Sequence, residues 1–252
     1  MHPDLALALG LADLADPIAL ERFLADDLAV ETKPDLSPVT EADRAVEQAL
    51  RKRINEERPG QGVVGEEFGA DGSGSARWIL DPIDGTKNYL RGIPVWATLI
   101  ALERDGRVEV GVASAPALQR RWWAARGEGA FVNGRRIHVS GVAELSDAVF
   151  SHASFSSWEE RGLGERFLDL ARACWRTRGF GDFWSHVLVA EGAADLAAEP
   201  EVEGWDLAAP QVIVEEAGGR FTNLDGVPTP AGGSVVSSNG LLHDRVLATL
   251  RP

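Results

Sequence analysis

The sequence of 252 residues contains one cysteine, one methionine and one tyrosine. With Cys174 as the only thiol, the chain can form no internal disulfide and no zinc site built from several cysteines. We expect Cys174 to be a small, partly buried apolar residue. Stability must therefore come from a hydrophobic core, for which a content of 44% apolar residues is ample.

Positive charge is also scarce, because 39 acidic residues outweigh 25 lysines and arginines and leave a net charge of −14. Nucleic acids and anionic membranes would repel such a chain. Residues 5–15 form an apolar stretch that Asp13 interrupts and that is too short to cross a bilayer. No basic segment of the kind found in secretory signals precedes it. We expect a cytoplasmic protein with no nucleic-acid or membrane partner.

The order of the predicted elements divides the chain into two parts. Residues 1–145 combine helical spacing at the start with later strand-like runs joined by Asp105-Gly106 and Asn133-Gly134 turns, which predicts an α+β sub-domain with a mostly antiparallel sheet. Residues 146–252 alternate strands with helices, which predicts a C-terminal α/β sub-domain. The boundary is therefore predicted near residue 145.

Two aspartates follow an apolar strand at Asp81 and Asp84. A strand that runs into a tight turn can direct both carboxylates to the same place. Pro82 fixes one φ angle and removes a competing donor, which leaves the Ile83 carbonyl free as a third oxygen ligand. Ligands of this kind suit a hard cation such as Mg²⁺. Solvated aspartates in an Asx-type turn would explain the same fragment.

Gly85 and Thr86 come directly after these aspartates. Their backbone N–H groups can bind a phosphate oxygen, and glycine permits its close approach. Metal ions beside a phosphate-sized anion site indicate metal-assisted hydrolysis of a phosphate ester.

Three further acidic positions are weaker signals by themselves. Glu66-Glu67 ends an apolar strand, but paired glutamates are often simply solvated. Asp206 precedes a helical run and is also explained as a helix N-cap. Asp43 lies three residues after the N-cap candidate Thr40 and is explained equally by a capping box. These residues gain functional meaning only if they meet in space.

Four ordered blocks of the chain resemble the inositol monophosphatase-like superfamily of metal-dependent, lithium-sensitive phosphatases. They are residues 39–44, 65–67, 78–89 and 205–219. The resemblance implies a layered α-β-α-β-α sandwich of the inositol monophosphatase and fructose bisphosphatase type. It also implies a homodimer.

The same resemblance assigns metal ligands. Glu66, Asp81 and the Ile83 carbonyl would hold one Mg²⁺. Asp81, Asp84 and Asp206 would hold a second, and Glu66 with Glu67 would contribute to a weaker third site. Two to three Mg²⁺ ions per site are expected, with Mn²⁺ as a substitute.

The reacting groups are also implied by the resemblance. Asp43 and Thr86 would orient or deprotonate the attacking water, and Glu67 would assist. The N–H groups of Gly85 and Thr86 would hold the phosphate.

Within the superfamily, the chain most resembles the actinobacterial-type histidinol-phosphate phosphatases of histidine biosynthesis. The segments that carry this resemblance are residues 32–40, 114–127, 178–185 and 191–200. It implies a small phosphorylated substrate with an ammonium group and an imidazole, which acidic side chains could pair with. The expected substrate contacts are Lys87, Asn88, Arg178, Asp182, Glu199 and Asp206.

Other functions fit part of the pattern. A haloacid-dehalogenase-type phosphatase needs an aspartate nucleophile two residues before Asp84, where this chain has Pro82. Inositol-1-monophosphatase and other sugar or nucleotide phosphatases of the superfamily remain alternatives. So does a non-catalytic module that binds phosphoryl ligands, although a damaged metal cluster would then be expected.

Overall fold

The structure, a computed structural model, describes residues 2–34, 36–72 and 74–251, so Asp35 of the segment 32–40 lies outside the described residues. Its helices are α1 (Pro3–Arg22), α2 (Glu41–Glu57), α3 (Thr86–Leu90), α4 (Phe155–Glu160), α5 (Gly164–Ala173), α6 (Asp182–Ala190), α7 (Gly204–Glu216) and α8 (His243–Leu250). Two 3₁₀ turns cover Pro116–Leu118 and Leu145–Asp147.

The strands form three sheets. They are β1 (Val30–Thr32), β2 (Pro38–Thr40), β3 (Gly62–Gly65), β4 (Gly69–Asp71), β5 (Ala76–Asp84), β6 (Ala97–Arg104), β7 (Arg107–Ala115), β8 (Arg120–Ala125), β9 (Gly129–Val132), β10 (Arg135–Ile137), β11 (Val149–His152), β12 (Arg176–Arg178), β13 (Leu196–Glu199), β14 (Arg220–Thr222) and β15 (Val235–Ser238). The largest sheet has the order β10-β9-β8-β7-β6-β5-β3-β4, the second β12-β11-β13-β15-β14, and β1 pairs with β2 alone.

Helices and sheets alternate as five layers. Helices α1 and α2 bury Leu11 and Leu50 with Trp78 and Leu80 on one face of the large sheet. Helices α6 and α7 lie between the two large sheets, and α4, α5 and α8 cover the outer face of the smaller one. This is the α-β-α-β-α sandwich that the resemblance implied.

Helix α2 illustrates how local sequence fixes an element. Thr40 accepts hydrogen bonds from the first turn, and Asp43 accepts one in return from the Thr40 N–H, which completes the predicted capping box. Val46, Leu50 and Ile54 recur at helical spacing and are fully buried. The start and the buried face of this helix are therefore as the sequence predicts.

The middle helical layer joins the two parts of the chain. Val212 and Ile213 of α7 share one core cluster with Ala113 of β7 and Val235 of β15. The division into sub-domains near residue 145 stays a prediction.

The end of strand β5 differs from the sequence-based expectation. The strand expected to end at Asp81 continues to Asp84, because a bulge, rather than a tight turn, accommodates Pro82.

Among the described residues, no helix combines the length and the apolar character needed to cross a membrane. Cys174 is buried, and burial raises the pKa of its thiol to about 11.

Two glycine substitutions test this packing from opposite directions. A Cβ on Gly111 of β7 would lie 2.5 Å from Val212 Cγ1 and 2.7 Å from the Ala209 carbonyl oxygen of α7. We expect Gly111→Ala to lower the free energy of unfolding by about 1–3 kcal/mol through overpacking. Gly10 of α1 has no heavy atom within 4 Å of a Cβ, so Gly10→Ala should raise it by roughly 0.5–1 kcal/mol. Urea denaturation measures both, and equal effects would contradict this packing.

Candidate active site

A β-bulge in β5 brings the two aspartates of the central motif to the same face. Strand β5 pairs with β6 in a register that shifts between Asp81 and Asp84. In a regular strand, residues three apart point to opposite faces of the sheet. The extra residue of a bulge removes that constraint. Thr98 on β6 donates a hydrogen bond of 2.8 Å to the Pro82 carbonyl, which fixes the bulge.

Asp206 joins these aspartates from α7. One oxygen from each of Asp81, Asp84 and Asp206 lies within 4.8 Å of the others. Asp81 is 2% exposed, and its Oδ1 is buried without a hydrogen-bond partner. Three convergent carboxylates with an unpartnered buried oxygen fit a hard divalent cation, which takes oxygen ligands.

Helix α7 holds Asp206 by its first turn. The helix begins at Gly204 with Glu203 as the N-cap, so Asp206 occupies the third helical position and is not itself the N-cap. Its Oδ2 accepts a 3.0 Å hydrogen bond from the Glu203 N–H. The helix start favours a negative charge there.

The electrostatics show that these carboxylates lack a counter-charge. Burial raises the pKa of Asp81 well above its usual range, and the charges of Glu66 and Asp84 raise it further. Burial and then the charge of Asp182 raise the pKa of Asp84 well above its usual range. Burial raises the pKa of Asp206 to about 7. In the absence of a bound cation, the group holds protons near neutral pH.

A cavity of about 250 Å³ opens onto this group. It is lined by Ser37, Pro38, Glu66, Asp81, Ile83, Asp84, Gly85, Thr86, Lys87, Asp182 and Asp206. The five residues predicted to hold the first two cations and both predicted phosphate-binding residues are among them, whereas Glu67 of the predicted third site is not. Segments distant in the sequence therefore meet at one place.

The turn after β5 is shaped for close approach. Gly85 has a φ of 81° and is the N-cap of α3. A Cβ there would lie 3.0 Å from the Val95 carbonyl oxygen and 3.3 Å from Asp182 Oδ2, so a larger residue would crowd both. Thr86 donates a 3.0 Å hydrogen bond from Oγ1 to the Ile83 carbonyl. The N–H groups in a first helical turn have no partner within the helix, so they can bind an anion.

Asp43 is fully buried at the start of α2. Its Oδ2 accepts hydrogen bonds from the Thr40 N–H at 2.8 Å and from Thr40 Oγ1 at 2.5 Å. Its Oδ1 is buried without a partner. Burial raises the pKa of Asp43 to about 7, and the charges of Glu67 and Glu66 contribute. The capping box and an available carboxylate oxygen thus coexist in one residue.

Glu66 and Glu67 are bridged by a lysine that the sequence analysis did not single out. Lys33 Nζ lies 2.7 Å from Glu66 Oε1 and 2.7 Å from Glu67 Oε1. Burial alone would lower the pKa of the Lys33 ammonium, but its hydrogen bonds to both glutamates outweigh burial and raise it. Burial raises the pKa of Glu67. Lys33 follows β1 directly and reaches both glutamates from there. No local sequence motif predicts this contact.

A second acidic group borders the cavity. Asp182 begins α6 with a φ of 51°, and its Oδ2 accepts a 3.0 Å hydrogen bond from Asn88 Nδ2. Burial, followed by the charge of Glu199, raises the pKa of Asp182 to about 7. Glu199 is 8% exposed, and its Oε1 lies 3.3 Å from His186 Nε2. No local motif marks His186, so the sequence does not predict this contact.

Four predicted site residues do not themselves line the cavity, namely Asp43, Glu67, Asn88 and Glu199. Arg178 does not line it either. It is exposed on β12 and donates a 2.8 Å hydrogen bond to the Thr177 carbonyl. The predicted basic residue that does line the cavity is Lys87.

Comparison with known proteins gives a consistent result. The Inositol monophosphatase family model matches residues 1–252. The chain is 60% identical over 255 residues to a histidinol-phosphatase of Mycobacterium tuberculosis, with 99% of this chain and 98% of that protein covered. It is 55% identical to a histidinol-phosphatase of Streptomyces coelicolor, with 98% and 96% covered.

Solved structures with the same fold are also similar in sequence. The IMPase of Thermotoga maritima superposes with a TM-score of 0.89 at 32% identity and covers 98% of this chain and 96% of its own. An inositol monophosphatase from Zymomonas mobilis gives a TM-score of 0.88 at 34% identity, with 98% and 97% covered.

The raised pKa values predict how stability depends on pH. The folded Asp206 has a pKa of about 7 against an ordinary value of 3.8, so between these values the folded state binds more protons than the unfolded state. The free energy of unfolding of the metal-free protein should therefore fall as pH rises from about 6.5 to 8. His243 acts in the opposite sense, because burial lowers its pKa from 6.5 to about 4, so its contribution to stability grows with pH up to about 6.5. That growth is largely complete above 6.5, which is why the window begins there.

Added Mg²⁺ should raise the melting temperature more at pH 8 than at pH 6.5, because the cation replaces the bound protons. Thermal unfolding at each pH, with and without Mg²⁺, measures this difference. Asp206→Asn removes one of the groups responsible and should make the slope shallower. Metal-free stability that increases over this range would contradict the account.

Proposed function

Because the chain belongs to the inositol monophosphatase family, we propose that it hydrolyses L-histidinol phosphate to L-histidinol and phosphate with Mg²⁺ in the carboxylate site. It is a phosphoric monoester hydrolase. The observation that supports the proposal most is the convergence of Asp81, Asp84 and Asp206 on a cavity that also presents Gly85 and Thr86. A non-catalytic binding module would not need this complete ligand set.

Five residues would hold the first two cations in this proposal. Glu66, Asp81 and the Ile83 carbonyl would bind one Mg²⁺, and Asp81, Asp84 and Asp206 a second. Divalent cations bound there would lower the pKa of water and neutralise the charge on the leaving oxygen. A third, weaker cation between Glu66 and Glu67 would take the place of the Lys33 ammonium. Mn²⁺ would substitute for Mg²⁺.

Asp43 and Thr86 would handle the attacking water. Asp43 has one carboxylate oxygen held by Thr40 and the other unpartnered, so the free oxygen can accept a proton. A pKa of about 7 suits a general base near neutral pH. The Thr86 hydroxyl donates to the Ile83 carbonyl, which leaves its lone pairs to accept a hydrogen bond from water. Glu67 would assist through its charge.

The phosphate would lie against the start of α3. The N–H groups of Gly85 and Thr86 would donate to its oxygens, and the first helical turn favours an anion. Lys87 lines the same cavity and would complement the remaining negative charge. Asn88 donates a hydrogen bond to Asp182. It would therefore affect the substrate by holding that carboxylate in place.

Asp182 and Glu199 would select a cationic substrate. Glu199 is buried and Asp182 is half-buried, and they are close enough to repel one another. Neither Asp182 nor Glu199 belongs to the sets of metal ligands proposed above. The ammonium group and the imidazole of histidinol phosphate would supply the missing positive charge, whereas a neutral polyol would leave both carboxylates uncompensated. Asp206 would contact the substrate beside its bound cation.

The cellular setting is part of the same proposal. The reaction belongs to histidine biosynthesis, and we infer a cytoplasmic homodimer from the family resemblance. Inositol monophosphatase activity is the second candidate, since the structural relatives of 32% and 34% identity carry that name.

A substrate panel tests the proposal. Histidinol phosphate should give the highest kcat/KM when compared with inositol 1-phosphate, fructose 1,6-bisphosphate and 3′-phosphoadenosine 5′-phosphate. Asp182→Asn should raise KM for histidinol phosphate about tenfold or more, because a hydrogen bond to a charged group contributes about 1.5–3 kcal/mol. Its effect on inositol 1-phosphate should be small.

Glu201→Gln is the matched control, since Glu201 is an exposed carboxylate paired with Arg161 only two residues beyond Glu199. Its KM values should equal those of the wild type. Preference for any of the three other esters, or an equal response of Asp182→Asn to charged and neutral substrates, would refute the substrate assignment.

A further inference from the structure

Glu47 is a buried carboxylate that the proposed reaction does not use. It lies one helical turn after Asp43 on α2 and is 0% exposed. Its Oε2 accepts a 2.7 Å hydrogen bond from the Glu67 N–H, and its Oε1 accepts one of 3.2 Å from the Phe68 N–H. These bonds tie α2 to the turn that follows β3.

The sequence leaves space for this contact at Gly65. A Cβ built on Gly65 would overlap Glu47 Oε1 and would lie 2.8 Å from Glu47 Oε2. The φ of Gly65 is not in the left-handed region, so the backbone alone does not require glycine. The carboxylate therefore occupies the volume that a side chain at position 65 would need.

Arg51 compensates the charge of Glu47 and extends the contact. Its Nε donates to Glu47 Oε1 at 2.7 Å, and its Nη1 donates to Asp71 Oδ2 at 2.8 Å. Its Nη2 donates to the Gly69 carbonyl. The segment from Gly65 to Asp71 is thus bound to α2 at several points. A buried ion pair with this many hydrogen bonds holds its partners in a defined geometry.

Glu66 lies within the segment that Glu47 and Arg51 bind to α2. Its own N–H donates to the Leu80 carbonyl at 3.3 Å, and the next N–H is bound by Glu47. Asp43 and Glu47 are four residues apart, so they lie on the same face of α2. One rigid helix therefore presents the candidate base and anchors the turn that carries a candidate metal ligand.

We propose that Glu47 is a positioning residue: it orients Glu66 relative to Asp43 and thereby sets the affinity of the site for divalent cations. This inference depends on the metal role of Glu66 in the proposed function. Hydrogen bonds to groups beyond the ligands commonly change metal affinity by about 10–100-fold. A purely structural role would lower stability without changing that affinity.

Glu47→Gln tests the inference with little change in shape. A carboxamide has one acceptor atom, so its NH₂ group must face a donor from the turn or from Arg51. We expect Mn²⁺ affinity, measured from the free Mn²⁺ signal in electron paramagnetic resonance, to fall about tenfold or more. The Glu67 and Phe68 amides should also exchange with solvent faster. Wild-type Mn²⁺ affinity in this variant would overturn the inference.

Glu103→Gln is the matched control for the loss of a buried, paired carboxylate. Glu103 is 6% exposed and accepts a 2.9 Å hydrogen bond from Arg77 Nε on the neighbouring strand. This variant should lose stability and keep wild-type Mn²⁺ affinity. If Glu47→Gln does not fold, Gly65→Ala displaces the same carboxylate from the opposite side and should weaken Mn²⁺ binding similarly; unchanged binding would overturn the inference.

Glu66→Gln separates this inference from the proposed function. Weaker Mn²⁺ binding in Glu66→Gln but not in Glu47→Gln would remove only the positioning role of Glu47. Wild-type affinity in Glu66→Gln would refute the metal role of Glu66, and with it both the proposed function and this inference.

Discussion

Mutual repulsion among buried carboxylates is the constraint on which this structure depends. Asp81 and Asp84 are almost fully enclosed and share a small volume with Asp206. Each charge is costly to bury, and each makes its neighbours harder to ionise. A fold can maintain such a group only if its apolar layers supply the stability and a cation or proton neutralises the charge. Affinity for divalent cations follows from the same arrangement.

Three of the five layers of the sandwich contribute residues to this site. The bulge in β5 places Asp81 and Asp84, the Phe183 N–H of α6 donates to Asp84 at 2.8 Å, and α7 holds Asp206. On the far side, α2 presents Asp43. The site lies where the layers meet, so its geometry depends on the packing of the whole chain. Backbone hydrogen bonds hold the carboxylates of Asp43, Asp84 and Asp206, which makes the site pre-organised.

Local signals predicted much of this site, and long-range contacts account for what they missed. The Thr40–Asp43 capping box and the Asp-Pro-Ile-Asp-Gly-Thr motif are visible because their chemistry lies within a few residues. The family resemblance supplied the order of the blocks and the fold. Lys33 and His186 carry no such signal, since their partners Glu66 and Glu199 are distant in the sequence or belong to another element. Pro82 suggested a turn because the pairing of β5 with β6 cannot be inferred from one strand.

Anomalous diffraction from crystals soaked in Mn²⁺ tests the central claim most directly. At least two anomalous peaks are expected within coordination distance of the described carboxylates. One peak should touch Glu66 and Asp81, and the other Asp81, Asp84 and Asp206. At saturating Mn²⁺, a map without peaks among these side chains, or with the carboxylates separated on different surfaces, would contradict it.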